Sequence, residues 1–295
     1  MINSRKDKIF DLTVIIFLSI LMLTMLYPFI YIISASLSDY KYIGSGEVWL
    51  LPKGVNFDAY KRILAEKEIW TGYRNTIFYT VVGTVINIFV TMICAYPMSR
   101  KDLCGRGFFT ILFTIPMFVG GGIIPTYLLI KGMHLLNTPW VMIIPGAMGI
   151  WNMIIARTFI QGLPYELQEA AAVDGCSNIR IFVKIIMPLS SPVIAVLVLY
   201  YGIGHWNEYF GALIYITNRK LYPLQLILRE ILVQQEMSSG MMKTTEELIG
   251  AAKQAEIAET LKYSTIIVST LPVIIIYPFF QKYFEKGMMV GSIKG

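Results

Sequence analysis

Formal charge is scarce in this chain of 295 residues: 15% of its side chains are Asp, Glu, Lys or Arg, against about a quarter in an ordinary soluble domain. Hydrophobic residues make up 56% and mean hydropathy is +0.61, which excludes a water-soluble fold and indicates an integral membrane protein. Histidine is scarcer still. His134 and His205 are the only two, and without H-E-x-x-H or a His/Cys cluster they form no zinc motif. Cys94, Cys104 and Cys176 lack C-x-x-C spacing, so they argue for neither a disulfide framework nor a metal site. No G-x-x-x-x-G-K-[ST] phosphate loop is present, so this chain does not bind and split ATP in that way. The glycine triple at 120–122, followed by Pro125, lies inside an apolar run and follows no strand. It reads as a loosened or closely packed membrane helix rather than a phosphate cradle.

What the chain has instead is six apolar stretches, roughly 12–37, 77–98, 107–130, 138–156, 185–207 and 263–284. Each is long enough for the roughly 20 helical residues that cross a hydrocarbon core of about 30 Å. They are continuous rather than alternating, and backbone groups cannot stay unpaired in lipid, so helices are expected throughout. Arg5, Lys6 and Lys8 precede the first run and Ser34-Ala35-Ser36 follows it, as in a secretory signal. Its apolar length exceeds the 7–15 or so residues of a signal core, however, and it is taken as an anchor. Basic residues in the short segments set the orientation. Arg5, Lys6 and Lys8, then Arg100, Lys101 and Arg106, then Lys282, Lys286 and Lys294 fall on one side if there are six spans, which places both termini in the cytoplasm. The net charge of +6 is then a topology signal, and nucleic acid is not an expected partner. No carboxylate marks a proton path through the spans, since Glu208, about 30 Å along a helix from Pro188, falls at the outer interface.

Residues 162–188 are the least apolar stretch of the middle of the chain. Gly162 can end one helix, Pro164 suits the start of the next, and Glu166 complements its positive N-terminus. A short helix is expected over 165–174, stopped by Gly175 in a left-handed conformation, with Ser177 capping a second piece that runs toward Pro188. Ala170 and Ala171 leave one surface nearly flat, open to close approach by a partner.

The pattern Glu169-Ala170-Ala171, three residues, Gly175, nine residues, Ile185 and then Pro188 resembles the EAA loop of ABC importer permeases, with Met187 where leucine is usual. That change nearly conserves volume. Arg74-Asn75-Thr76, the run Ala95-Tyr96-Pro97-Met98-Ser99-Arg100, Trp206-Asn207-Glu208, Tyr222-Pro223-Leu224-Gln225 and the tail from Gly287 to Gly295 are similar to carbohydrate-uptake permeases of the MalG type. The stretch 120–125 and the ending Gly-Ser-Ile-Lys-Gly are most similar to the LplC/YtcP-like branch, associated with complex oligosaccharides.

The resemblance implies an all-α membrane protein with the type I ABC importer permease fold: a single permease domain over 1–295, with an anchor helix at 9–37 and an extracellular loop at 38–76. A permease core at 77–285 would contain a cytoplasmic coupling loop at 162–188 and an extracellular loop at 217–262, before a cytoplasmic tail at 286–295. It implies a second homologous permease, an ABC ATPase dimer that binds ATP and Mg, an extracellular sugar-binding protein and a bacterial plasma membrane as partners and setting. No cofactor is expected in this chain, which is read as a transporter subunit rather than an enzyme. Glu169, Ala170, Ala171, Asp174, Gly175, Ile185 and Pro188 are the residues implied to couple to the ATPase, and Gly291, Lys294 and Gly295 would reach toward it. Leu248, Ala251, Ala252 and Ala255 suggest a short amphipathic helix in the loop 217–262, expected to meet the binding protein or to cap the permease. Tyr200, Tyr201, His205, Trp206, Asn207 and Glu208 have the aromatic, amide and carboxylate chemistry that holds sugars, though aromatics at such positions also serve helix packing and the interfacial belt. A permease for an amino acid, peptide or other small polar solute would share the loop, and a secondary transporter is the remaining alternative.

Overall fold

The computed structural model describes residues 5–240, 260–276 and 278–279, and every regular element among them is helical. In chain order they are α1 (Arg5–Ser36), α2 (Tyr40–Gly44), α3 (Asp58–Ala65), α4 (Lys67–Ser99), α5 (Arg106–Phe118), α6 (Ile123–Gly132) and α7 (Ile150–Gln161). There follow α8 (Glu166–Val173), α9 (Asn178–Ile181), α10 (Met187–Leu189), α11 (Ser191–Asn207), α12 (Phe210–Tyr215), α13 (Leu224–Gly240) and α14 (Thr260–Ile276). Contacts divide the chain into two compact units, residues 1–69 with 228–272 and residues 70–227 with 273–295.

In the first unit α1 leaves its apolar side chains exposed from Ile9 to Ile30, the condition of a helix solvated by lipid or by another apolar surface. The chain after it folds back on the helix end: Ser34 Oγ donates to Leu50 O (2.7 Å), Ser38 Oγ accepts from Lys53 N (3.0 Å) and Asn56 N donates to Leu37 O (2.9 Å). Ala35, Ile43 and Val48 bury against one another there, with Tyr31 and Tyr263 packed on them.

The second unit is organised by α4, of 33 residues and about 50 Å long at 1.5 Å per residue. One cluster, with Met92, Ala95, Tyr96, Met153, Ala156, Ile160 and Leu197 at its centre, packs α4, α7 and α11 together. A second, with Tyr79, Ile130, Val141, Ile143, Ala212 and Ile216, joins the other half of α4 to α6 and α12.

Three of the six apolar runs are not single straight helices. The run 107–130 breaks between α5 and α6, whose axes differ by 117°. Gly122 adopts φ +80° there, and a Cβ added at Gly120 or Gly122 would meet nothing within 4 Å, so the triple loosens the chain and does not pack it tightly. The run 185–207 bends by 78° at Ser190. The run 138–156 is a 3-10 turn (Pro139–Met142), an irregular stretch and then the first half of α7. Helix throughout was the expectation because unpaired backbone is costly in lipid. Here side chains satisfy it instead: Asn87 Nδ2 donates to Gly146 O, and Gly149 N donates to the Tyr201 hydroxyl at 2.9 Å.

Candidate functional site

Residues 162–188 form the expected helix, turn and helix. α8 ends at Val173, Gly175 takes φ +75°, a conformation that costs a residue with a Cβ, and Ser177 Oγ accepts from Arg180 N at 3.4 Å to begin α9. The chain then widens into a π-turn (Phe182–Ile186) before α10, with Pro188 in its first turn where a missing N–H does no harm. The loop is seated on the core: Gln168, Ala171, Ile181 and Ile186 are buried, and Ile185 is partly so.

That seating corrects one expectation. Ala170 and Ala171 do not share an open surface, because successive helical residues are about 100° apart and the inward stripe runs through 168 and 171. Ala171 packs inside; the outward surface is Glu166, Glu169, Ala170 and Val173, the last 88% exposed, continued by Asp174, Gly175 and by Ile179, 77% exposed. Pro188 is exposed too.

Packed against the loop, the turn after α4 carries a guanidinium whose three nitrogens are all engaged. Arg100 Nε and Nη2 grip Asp102 at 2.8 and 2.6 Å, and Nη1 reaches Tyr96 OH at 3.1 Å and Asn178 Oδ1 at 2.8 Å. Hydrogen bonding from Arg100 holds the Asp102 carboxyl below its usual range, and the same bond raises the arginine further. Tyr96 in turn lies against Phe182, with ring centroids 5.2 Å apart.

Further along, α11 meets α4 through polar groups. Tyr201 OH bonds Thr91 Oγ1 at 2.7 Å, and His205 Nε2 bonds Asn87 Oδ1 at 2.7 Å. A Cβ on Gly83 would strike the His205 ring, so the glycine is what lets the imidazole lie against α4. Trp206 is buried with its ring 6.3 Å from Tyr73, and Glu208 Oε1 accepts from Gly211 N at 2.7 Å, capping α12. Of the six sugar-suited residues, four are therefore held by their own chain, while Tyr200 and Asn207 are exposed. The runs hold no carboxylate at this depth, but His205 is a titratable group within α11 that a search for formal charge passes over. A cavity of about 330 Å³ lies alongside, lined by Thr80, Thr84, Leu199, Gly202, Trp206 and Ile276.

At the other end of α4, Asn75 Nδ2 donates to Lys220 O (2.8 Å) and Tyr222 O (3.0 Å), Tyr79 OH donates to Leu221 O (2.8 Å), and Thr76 Oγ1 accepts from Leu224 N (2.8 Å). Two motifs far apart in sequence, around Asn75 and Tyr222, are two halves of one clasp.

A family model described as the inner membrane component of binding-protein-dependent transport systems matches residues 87–290. The chain belongs to this family. As a permease it is 37% identical to the polygalacturonan/rhamnogalacturonan transport system permease protein YtcP of Bacillus subtilis, across 98% of this chain and 100% of that protein. It is equally 37% identical to protein LplC of Bacillus subtilis, across 99% of this chain and 97% of that one. A solved chain from a bacterial ABC transporter involved in import of the acidic polysaccharide alginate superposes with a TM-score of 0.83 at 34% identity, covering 95% of this chain and 98% of that one. The fold is that of a type I ABC importer permease.

The EAA loop is legible in the sequence; the contacts that hold it are not. Arg100 stood out as an orientation charge and as the last residue of a motif, not as a partner of the loop, and Asn178 did not stand out at all. Asn87 and Thr91 had a signal: Thr76, Thr80, Thr84, Asn87 and Thr91 recur at steps of four, four, three and four, a polar stripe on one side of an otherwise apolar helix. The tail residues Gly291, Lys294 and Gly295, and the helix expected around Leu248, Ala251, Ala252 and Ala255, lie outside the described residues.

Proposed function

We propose that this permease is one of two related membrane subunits of an importer for acidic oligosaccharides, driven by ATP hydrolysis in a separate ATPase dimer that binds ATP and Mg. The observation that carries the reading is similarity along nearly the whole chain to a permease named for polygalacturonan and rhamnogalacturonan and to a chain from an alginate importer. Both names denote polymers that contain uronic acids. A protein outside the cell delivers the sugar, and the loop 217–262 is the surface that receives it.

In this reading the chain is a single permease domain that crosses the membrane six times with both termini in the cytoplasm, the third crossing broken at the glycine triple. The loop 162–188 then faces the ATPase. Its outward residues Glu169, Ala170, Asp174 and Gly175 make the contact, with Glu169 pairing a basic side chain, while Ala171, Ile185 and Pro188 hold the loop in place. Closure of the ATPase dimer on ATP pushes the two coupling helices together and turns the bundles outward. Tyr200 and Asn207 are the members of the α11 set free to meet sugar.

Gentle purification of the tagged permease from its native membrane tests this. A second permease and an ATPase should accompany it, an oligogalacturonide with its binding protein should stimulate ATP hydrolysis more than a neutral maltodextrin does, and Glu169→Lys should lose the ATPase or its activity. A chain that purifies alone, with no nucleotide hydrolysis, would sink the proposal.

A further inference from the structure

We infer that Arg100, through Asn178, is a positioning residue that makes the loop 162–188 and α4 move as one body; this rests on the function proposed above. The core packing that seats the loop is apolar and includes Ala171, Ile181 and Ile186. The hydrophobic effect behind such packing is non-directional, so it holds the loop against the core without a directional bond of its own. The Arg100 fork supplies direction. Its planar donors are fixed by Asp102 on one side, two residues along its own turn, and the remaining edge is aimed at Asn178, the first residue of α9. A guanidinium already held by a carboxylate loses little further freedom when it takes the amide oxygen. Tyr96 closes the arrangement: its hydroxyl accepts from the same guanidinium and its ring lies on Phe182, so α4 and the loop meet at two points rather than one.

A displacement of the loop is thereby passed to the end of a 33-residue helix. Along that helix lie the bonds to Gly146, Tyr201 and His205 and, at its far end, the Asn75 clasp. α4 is the element through which a push on the loop reaches both the irregular stretch 143–149 and the segment 220–224.

The test uses the whole reconstituted complex, with genetically encoded spin labels at exposed Val183 in the loop, outside the surface proposed to meet the ATPase, and exposed Phe89 on α4. Two substitutions are compared at Asn178, an exposed position where neither should impair folding. Asn178→Leu removes the acceptor; Asn178→Asp keeps it, adds a charge that Arg100 welcomes, and suits the first turn of a helix. The distance between the labels should be the same with and without ATP in the wild type and in Asn178→Asp. In Asn178→Leu it should shift and widen when ATP binds, and sugar moved per ATP hydrolysed should fall by about five-fold or more. If the complex hydrolyses ATP and Asn178→Leu keeps the wild-type distance in both states, or the wild-type distance itself shifts with ATP, the clamp is wrong while the importer stands. If the wild-type complex hydrolyses no ATP, the importer reading fails and takes the clamp with it.

Discussion

Asn75 is a small side chain with a large span of influence. Its amide nitrogen places both N–H groups on carbonyls of a segment some 145 residues away, and it is buried while doing so. Replacing it with alanine leaves the Lys220 and Tyr222 carbonyls without their donor, and a buried unsatisfied group costs about 1–3 kcal/mol. Asn75→Ala should therefore lower the thermal midpoint of the purified permease, while Asn75→Asp, which keeps the shape but removes the donors, should do no better. A midpoint equal to wild type in both variants would show that the clasp adds nothing. At this scale the sequence was legible wherever a residue type has one common use. Gly175 reads as a left-handed stop and Ser177 as a cap, and both are so. Arg100 and Asn75 have many uses, and only their partners in space choose among them.

α8 shows what element-level reasoning can and cannot extract. Its length and ends follow from Glu166 and Gly175, but which of two adjacent alanines faces out depends on what lies beneath it. The buried cluster that takes Ala171 and leaves Ala170 outside also holds Met92, Ala95 and Met153. The two alanines should then respond differently to bulk. Ala170→Trp should leave the permease folded and paired with its membrane partner but unable to retain the ATPase. Ala171→Trp must force an indole into a filled core, at a cost of about 1–3 kcal/mol or more, and should lower the thermal midpoint before any question of binding arises. Co-purification and melting measured together separate the two effects; equal loss of ATPase with equal loss of stability would put both residues on the same side of the helix. The glycine triple hinted at the break in 107–130, but the one in 138–156 was illegible for a related reason. An apolar run states only that a segment prefers lipid or protein to water. Whether its backbone stays helical depends on distant donors and acceptors, here Asn87 and Tyr201, that can replace the helical bonds.

Across the whole chain, hydropathy makes membrane residence plain, yet among the described residues only Lys8–Ser36 and Lys67–Ser99 are single helices long and apolar enough to cross. Two more crossings follow if each bent pair counts as one. The number of crossings thus rests on how the broken helices are counted, and orientation rests on where lysine and arginine fall. The proposed orientation can be read from one native side chain. Cys104 is exposed in the turn between α4 and α5, whereas Cys94 lies within α4 and Cys176 is partly buried in the loop proposed to share a side with Cys104. A membrane-impermeant maleimide should modify the permease in inside-out vesicles and leave it untouched in right-side-out ones. Cys104→Ser should lose most of that signal. Adding Ser45→Cys, at an exposed position on the loop 38–76, should create a site that reacts only from the other face. These two labels precede and follow α4 in the chain, so an even number of crossings between them, or a reversed insertion, gives a different pattern. Labelling of Cys104 in right-side-out vesicles would put the loop 162–188 outside the cell, where no ATPase could reach it.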